Sequence, residues 1–272
     1  QGFEAGVHGV LKGGSAWMPD NQINGVDFVL PFRFSQGTWQ LGTRRPVSLR
    51  IGEVVNQVTA KNLSADLQGS WPWSEREPLQ LSNVSVDVLG GKVTMQQLRM
   101  PQHDPALLRL QQISSSELVS AINIKQFAMS GAFNGALPLW LNNDKWIIKD
   151  GWLGNPGPMT LRLDKDMADA MVNDNISAGA AINWLRYMEI SRSWTRIDLD
   201  NLGMLTLKAT ISGTSRVGEQ SNTVHLNYSH QENIFDLWRS LRFGDNLQAW
   251  FEQNAVLPVR SCTDSKKCKE QQ

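Results

Sequence analysis

The chain lacks the features that define several large classes of protein. Its 272 residues contain no apolar run of roughly 18 residues or more, the length a helix needs to cross a bilayer. Lysine plus arginine balance aspartate plus glutamate at 26 each, so no basic excess is available to neutralise nucleic-acid phosphates. No G-x-S-x-G elbow, dinucleotide fingerprint or complete phosphate loop occurs. We therefore expect neither an enzyme nor a nucleic-acid binder, and we predict no cofactor.

Cysteine is also scarce. Cys262 and Cys268 are the two cysteines of the chain, and both lie in the polar tail from Ser261 to Gln272. In an oxidising compartment they would close a small disulfide loop, whereas in a reducing one they would be free thiols. No histidine or further cysteine lies close enough in sequence to complete four zinc ligands. The sequence therefore leaves a Cys262–Cys268 disulfide as a hypothesis.

Tyrosine is rare and tryptophan is frequent, with 2 and 11 residues respectively. A tryptophan side chain combines a large apolar ring system with one N–H donor, and it is favoured where an apolar surface meets a wetter one. The simpler expectation is that most of these tryptophans lie in cores and cross-strand pairs.

Two groups of polar residues could suggest chemistry. His225, His230 and Glu232 form an H-x4-H-x-E pattern, and Asp164 lies two residues before Asp166. The first group is expected to span a strand end and a helix start, where side chains are not held on one face. Turn and capping roles are therefore favoured over a metal site. The second group is favoured as the solvated entry to a helix. We predict no catalytic residue and no metal site.

The segment from Gly131 to Leu163 has the pattern of short strands joined by turns. Leu137, Leu139 and Leu141 recur at every second position, the period that sends successive side chains to opposite faces of a sheet. The parts predicted after them are a strand at Trp146 to Ile148, a turn at Asp150 and Gly151, a break at Gly154 to Pro158, and a strand at Met159 to Leu163. This order predicts a β-meander.

A looser copy of this unit occurs earlier in the chain. Its parts are Leu30 to Phe34, a turn at Ser35 to Thr38, Trp39 to Leu41, and Pro46 to Ile51. In both copies a strand that contains Leu-Pro precedes a polar turn, a strand that contains Trp, and a strand that follows a proline. Such repetition is typical of an architecture that grows by adding units.

The predicted fold class is mainly β. We expect an elongated, curved antiparallel β-meander that forms an open, taco-like apolar groove, with a few short helices in the C-terminal third. The predicted helices are Asp166 to Val172, Ser177 to Met188, Glu232 to Phe243, and one short turn capped by Ser115 or Ser116. Residues 1–260 are expected to form one elongated domain, with its helix-containing portion at about 164–258, and residues 261–272 a polar tail.

Alternating apolar residues define a candidate lining face. They are Leu30, Phe32, Phe34, Leu49, Val84, Val86, Val88, Leu137, Leu139, Leu141, Leu161, Leu205, Leu207, Ile211 and Leu226. Two interpretations remain open at this point. The residues could form the core of a closed β-sandwich, or they could line a curved sheet whose inner face stays open as an apolar trough.

The segments GAFNGALPL and KWIIKDGWL, followed by LNYSHQENIFDLWRSL at Leu226 to Leu241, resemble the C-terminal part of the AsmA-like bacterial envelope proteins, the group that contains TamB. The resemblance covers most of the chain and is strongest from about Leu79 to Pro258. It implies a periplasmic β-groove, anchored in the inner membrane by an N-terminal part, that shields phospholipid acyl chains during transport between the inner and outer membranes. The alternative is a closed β-sandwich interaction module of the bacterial envelope without lipid cargo.

The same resemblance implies two partners. One is phospholipid, and the other is a small, YnbE-like outer-membrane lipoprotein, which we expect to dock by β-strand augmentation. The chain opens abruptly in a strand-like segment, as a mature product or a fragment of a longer protein would, and we favour the fragment. The resemblance implies that this fragment, which lacks the N-terminal anchor, is the outer-membrane-proximal portion. Membrane contact would then be made through the full-length protein and its partner.

Overall fold

The structure is a computed structural model that describes residues 5–18, 21–42, 45–55, 58–121, 127–142, 145–166, 168–169, 183, 186–217, 219–234 and 259–260. Within these residues nearly every element is a β-strand. The strands are β1 (Ala5–Met18), β2 (Asn21–Ser35), β3 (Thr38–Leu41), β4 (Val47–Val55), β5 (Thr59–Trp71), β6 (Leu79–Val88), β7 (Gly91–Met100), β8 (Ala106–Ser114), β9 (Phe127–Ser130), β10 (Ala132–Asn142), β11 (Lys145–Gly154), β12 (Met159–Leu163), β13 (Tyr187–Leu199), β14 (Met204–Val217), β15 (Gln220–Asn233) and β16 (Val259–Arg260). One short helix, α1, spans Ser115–Ala121.

The chain divides into two compact units. The first unit comprises Gln1–Gln111 and Ala136–Ile147, and the second comprises Gln112–Gly135 and Ile148–Gln272. Strands in the first follow the order β1-β2-β3-β5-β6-β7-β8-β10, and those in the second the order β11-β13-β14-β15-β16. Neighbouring strands in the described ladders run antiparallel. The prediction of a mainly β, open antiparallel sheet is therefore confirmed, while the single domain at 1–260 stays a prediction.

The loose repeat of the sequence corresponds to a repeated strand arrangement. In the first unit β3 and β4 lie end to end beside β5, because each pairs with a different part of it. In the second unit β11 and β12 lie end to end beside β13 in the same way. The third strand of each copy is therefore the second half of an interrupted strand, and the simple meander predicted for these segments is wrong in that detail.

Each interruption falls at a segment rich in glycine and proline. At Gly42, φ is +67° and an added Cβ would lie 2.7 Å from the carbonyl oxygen of Arg45, so the first break requires glycine. At the second break the side-chain amide of Asn155 donates to the carbonyl of Ser191 at 3.2 Å, and its Oδ1 accepts from the backbone N–H of Ser193 at 2.5 Å. The broken strand is thus tied to its neighbour by a side chain where backbone pairing stops.

Residues other than glycine adopt a left-handed backbone inside several strands. They are Asn62 in β5, Asn83 in β6, Gln112 in β8 and Asp150 in β11, with φ of 52° to 56°. In β6, Leu79 and Leu81 precede Asn83 at odd positions. The valines that follow it, Val84 and Val86, stand at even positions. A left-handed residue reverses which face of the sheet the following side chains point to. Because the apolar residues move from odd to even positions at Asn83, they stay on the same face on both sides of it.

The predicted turn at Asp150 and Gly151 is wrong. Strand β11 continues through both residues, and its register against β13 shifts between Ile148 and Gly151. The backbone N–H of Asp150 donates to the carboxylate of Asp198 at 2.9 Å, which satisfies a donor that leaves the ladder. The Asp-Gly pair therefore forms a bulge in this strand.

The short helix is confirmed, with its cap one residue earlier than predicted. The hydroxyl of Ser114 accepts a hydrogen bond from the backbone N–H of Glu117 at 3.3 Å, the contact expected of an N-cap. Ser115 is instead the first helical residue, and its own N–H donates to the carbonyl of Gly131 at 2.9 Å.

The helices predicted in the C-terminal third are only partly described. Residues 165, 166, 168 and 169 are helical, and the N–H of Ala168 donates to the carbonyl of Asp164 at 2.9 Å, so the helix entry at Asp164 is confirmed. The helix predicted at Ser177 to Met188 is wrong at its end, because Tyr187 and Met188 belong to β13. The helix predicted at Glu232 to Phe243 is wrong at its start, because Glu232 belongs to β15. Pairing with neighbouring strands overrides their local preference. Most other residues of the three predicted helices lie outside the described part.

Candidate functional site

Strand β14 separates apolar from polar side chains over most of its length. Leu205, Leu207 and Ile211 occupy odd positions, whereas Thr206 and Lys208 occupy even ones. Residues that lie opposite each other in neighbouring strands share a face of the sheet. By this register the odd positions face the same side as the apolar residues of β13, and the even positions form a polar surface. The predicted lining residues of β14 therefore lie together on one face.

A buried cluster continues this face of the second unit. Its buried members are Met159, Met188, Ile190, Val224 and Leu226, and Met129, Leu161 and Ile211 pack against it. Three predicted lining residues, Leu161, Ile211 and Leu226, are therefore brought together by the fold. Ile211 and Leu226 lie opposite each other in consecutive strands, whereas Leu161 comes from a strand much earlier in the sequence. Alternation within one strand contains no information about how Leu161 joins the other two.

The first unit carries a second apolar face. Val86 lies opposite Val93, which lies opposite Leu110 in the next strand. Leu49 lies opposite Ala65. The predicted lining residues on these strands are Leu49, Val84, Val86 and Val88, and all of them are half-buried. They are covered from the side by neighbours on the same face, and their outer parts remain accessible.

The three leucines of β10 differ in exposure. Leu139 is 5% exposed, whereas Leu137 and Leu141 are half-buried. The side-chain amide of Gln102 binds the backbone at this point, donating to the carbonyl of Leu139 at 3.1 Å and accepting from the N–H of Leu141 at 2.6 Å. Gln102 thus satisfies backbone groups of β10 as a neighbouring strand would.

Leu30 and Phe32 lie in β2, where their backbone positions are opposite Gly9 and Val7 of β1. Phe34, further along the same strand, is half-buried. Of the predicted lining residues whose side chains the structure describes, Leu139 and Leu226 are buried and the others are half-buried. A second layer packed over a sheet would bury such residues almost completely. The predicted lining is therefore neither a sealed core nor a fully exposed surface.

Aromatic residues form a feature that the alternation did not predict. Phe34 of β2 lies opposite Trp39 of β3, which lies opposite Trp71 of β5. The ring centroids of Phe34 and Trp39 are 4.8 Å apart, and those of Trp71 and Trp73 are also 4.8 Å apart. We call these four residues the aromatic rung. The signal for it was the excess of tryptophan over tyrosine.

The expected burial of tryptophan is not met among the described side chains. Trp39, Trp71, Trp73, Trp146 and Trp194 are exposed, and none of the described tryptophans is buried. Trp39 and Trp71 do form the expected cross-strand pair. Their accessible ring surface means that these residues are available for contacts outside the sheet.

The H-x4-H-x-E residues lie apart. His225 stands at an odd position of β15, and its Nδ1 is 3.0 Å from the hydroxyl of Ser212. His230 and Glu232 stand at even positions on the other face, with Nε2 and Oε2 2.9 Å apart. The ring of Tyr228 stacks on His230, and burial, with a further contribution from the charge of Glu232, raises the pKa of Tyr228 to about 12.

The described residues contain no group of three or more His, Cys, Asp or Glu side chains placed to hold a metal ion. Cys262 and Cys268 lie outside the described residues, so their disulfide stays a prediction. Across the described segments, no helix combines the length and apolar character needed to cross a membrane.

Comparison with known proteins relates these faces to a family. The YdbH-like family model, described as "Intermembrane phospholipid transport protein YdbH", matches residues 1–255. A curated relative from Escherichia coli (strain K12), named "Probable phospholipid transport protein YdbH", is 75% identical over 272 residues. That match covers 100% of this chain and 31% of the relative, and no solved structure matches the chain significantly. The chain belongs to the YdbH-like family.

Proposed function

We propose that this chain forms part of a periplasmic β-groove that shields phospholipid acyl chains during transport between the inner and outer membranes. The observation that carries the proposal is the half-buried state of the alternating apolar residues in both units. Side chains in this state offer an apolar surface to a ligand while backbone pairing holds the strands together. The name of the Escherichia coli relative supports phospholipid as the cargo.

The energetics of lipid transfer explain why a continuous apolar face is needed. Two acyl chains contain roughly 30 methylenes, and exposing each to water costs about 0.8 kcal/mol, so unshielded transfer costs on the order of 20 kcal/mol. No single pocket residue can offset such a cost. Repeated strands with one apolar face can, because every added strand extends the sheltered path by about 4.7 Å. A catalytic centre has no place in this function.

The partner belongs to the same proposal. A small outer-membrane lipoprotein of the YnbE-like kind would add a strand to an exposed sheet edge of the full-length protein. Site-specific photocrosslinking along the strands of the second unit tests this idea. Crosslinks at alternate residues of one strand are expected, because an added strand contacts every second side chain on each face. A crosslink pattern confined to helical residues would contradict strand addition.

A closed interaction module without lipid is the second candidate, and the buried cluster of the second unit favours it. Met188 and Val224 are each 1% exposed, as in an ordinary core. This candidate accounts for the cluster and leaves the half-buried faces of the first unit and of β14 without a role. The two candidates differ in one measurable property, the presence of bound phospholipid.

Native mass spectrometry with lipid extraction on the purified chain tests the proposed function. Leu207→Asp places a charge on the face where Leu207 lies opposite Ile197 of β13 and His230 of β15. Thr206→Asp places the same charge on the polar face of the same strand, opposite Gln231. We expect copurified phospholipid in the wild type and in Thr206→Asp, and a several-fold loss in Leu207→Asp. Circular dichroism checks that both variants are folded. Absence of phospholipid from the wild-type chain would favour the closed module.

A further inference from the structure

The aromatic rung lies on the apolar face of the first unit. Phe34 stands eight residues from Val26 in β2, so the period of two places both on one face, and Val26 lies opposite Ile51 of β4. Ile51 is two residues from Leu49, one of the predicted lining residues. Trp39 and Trp71 share the face of Phe34 because the three residues lie opposite one another in neighbouring strands. The rung thus continues the apolar face along the strand direction and is not an isolated surface patch.

The rung also marks the point where the apolar face ends. Trp71 is the last residue of β5, and the segment that follows, residues 72–77, is exposed along its whole length. It is polar from Ser74 onward, and the carboxylate of Glu75 lies 2.9 Å from Nε2 of His103. A ligand lying on this face would therefore pass from an apolar to a polar environment at the rung.

The exposed fractions of the rings leave room for such a ligand. Trp39 is 42% exposed, Trp71 is 50% exposed and Trp73 is 36% exposed. Three neighbouring strands, spaced about 4.8 Å apart, present the rings of Phe34, Trp39 and Trp71 as one row roughly 10 Å wide.

We propose that the aromatic rung holds the glycerol and headgroup boundary of a bound phospholipid, with the acyl chains on the apolar face beyond it. This inference rests on the proposed function. A tryptophan ring is most stable where an apolar region meets a polar one, because its ring surface is apolar and its N–H remains a donor. In a bound phospholipid that region is the ester and glycerol segment, whose oxygens accept hydrogen bonds.

The molecule contains an internal control for exposed tryptophan. Trp152 and Trp194 in the second unit stack with centroids 4.7 Å apart and an interplanar angle of 6°. By register Trp152 lies opposite Arg196, and Trp194 lies opposite Thr210, on the polar face. Trp194 is 51% exposed, as much as Trp71. Trp194 and Trp71 are therefore matched in exposure and lie on different kinds of face, while Trp152 is half-buried.

Fluorine NMR on the chain labelled with 5-fluorotryptophan tests the inference. Single Trp→Phe substitutions assign the resonances, and the probes are phosphatidylcholines that carry a nitroxide on the headgroup, near the start of an acyl chain, or near its end. We expect the headgroup and chain-start probes to broaden the Trp39 and Trp71 resonances several-fold more than the chain-end probe does. The Trp152 and Trp194 resonances should be broadened no more by the headgroup and chain-start probes than by the chain-end probe.

The possible outcomes separate the inference from the proposed function. Strongest broadening of Trp39 and Trp71 by the chain-end probe, or equal broadening of the rung and the Trp152–Trp194 stack, would overturn the inference. Lipid bound according to native mass spectrometry, with unchanged rung resonances, would also overturn it while the proposed function stands. A chain that binds none of the probes and retains no phospholipid contradicts both.

A second variant pair gives an independent readout. Trp39→Ala with Trp71→Ala removes two rings of the rung, and Trp152→Ala with Trp194→Ala removes the stack on the polar face. We expect the first pair to lower retained phospholipid several-fold and the second to leave it unchanged, with thermal melting used to confirm that both remain folded. Equal retention in two folded variants would mean that the rung serves only cross-strand packing.

Discussion

The two compact units use the same alternating pattern and reach different degrees of burial. In the second unit Met188 and Val224 are each 1% exposed within a cluster contributed by several strands. In the first unit Val84, Val86 and Val88 alternate just as regularly and remain half-buried. Alternation therefore determines which side chains share a face, but it does not determine whether that face is closed by further packing. The buried cluster of the second unit therefore has the features of a packed core, whereas the valines of β6 in the first unit have those of an accessible surface.

The largest expected difference between the units is in core truncation. Met188→Ala should lower the free energy of unfolding by about 2–5 kcal/mol, because it leaves a cavity in a packed cluster. Val86→Ala removes a half-buried side chain and should cost about 1 kcal/mol. Urea unfolding followed by circular dichroism measures both. Equal losses in the free energy of unfolding would mean that the side chains around Met188 and those around Val86 are packed equally tightly.

Close backbone approach provides the next test of the packing in the second unit. A Cβ added at Gly213 would collide with the carbonyl oxygen of Glu189 on β13, so Gly213→Ala should cost about 1–3 kcal/mol. Gly157 has no atom within 4 Å of the added Cβ position, and Gly157→Ala should be neutral or slightly stabilising. Thermal unfolding distinguishes them. A neutral Gly213→Ala would show that β13 and β14 can separate at little cost.

A smaller effect is expected from Tyr228, which lies beside His230 on the apolar side of β15. Its folded pKa is about 12, above the ordinary value of 10.0, so the folded state keeps the proton when the unfolded state has lost it. The stabilisation is therefore complete below pH 10 and is lost as pH rises toward 12. After allowance for the exposed part of the ring, its size is on the order of 1 kcal/mol. Tyrosinate absorbance during alkaline titration measures the pKa.

Tyr228→Phe is the control for this pH dependence. The variant should remove the decline in stability that begins near pH 10, since phenylalanine has no ionisable group. If the variant loses stability over the same pH range as the wild type, the decline arises from other groups, and Tyr228 is not held in the less polar surroundings described for it.

The smallest effect is expected at an exposed ion pair of the first unit. The guanidinium of Arg50 contacts the carboxylate of Asp66 at 3.3 Å, and the same carboxylate accepts from the side-chain amide of Asn83 at 3.1 Å. Arg50→Gln should cost about 0.2–1 kcal/mol and less at high salt, because exposed pairs are screened. Denaturant unfolding at two salt concentrations measures this. A salt-independent loss would indicate that Arg50 acts through packing of its side chain.

Predictions that depend on neighbouring residues in sequence were more accurate than predictions that depend on contacts between distant strands. Strand β12 was predicted with its correct bounds, Met159 to Leu163, from alternation and from the proline before it. The turn predicted at Asp150 and Gly151 was wrong because an Asp-Gly pair suits a bulge as well as a turn. Only the pairing of β11 with β13 decides between them.

Local sequence patterns are enough to predict the strand-rich fold, the common face of residues such as Leu205 and Leu207, and the repeated order of parts. These follow from the period of two and from glycine and proline, which act over a few residues. Only the pairing of distant strands shows that β3 and β4 share one neighbour and that Leu161 and Leu226 belong to one cluster. It also decided that three tryptophans line one end of an apolar face. Each of these depends on register between distant strands, and cross-strand contacts are not encoded in the periodicity of a single strand.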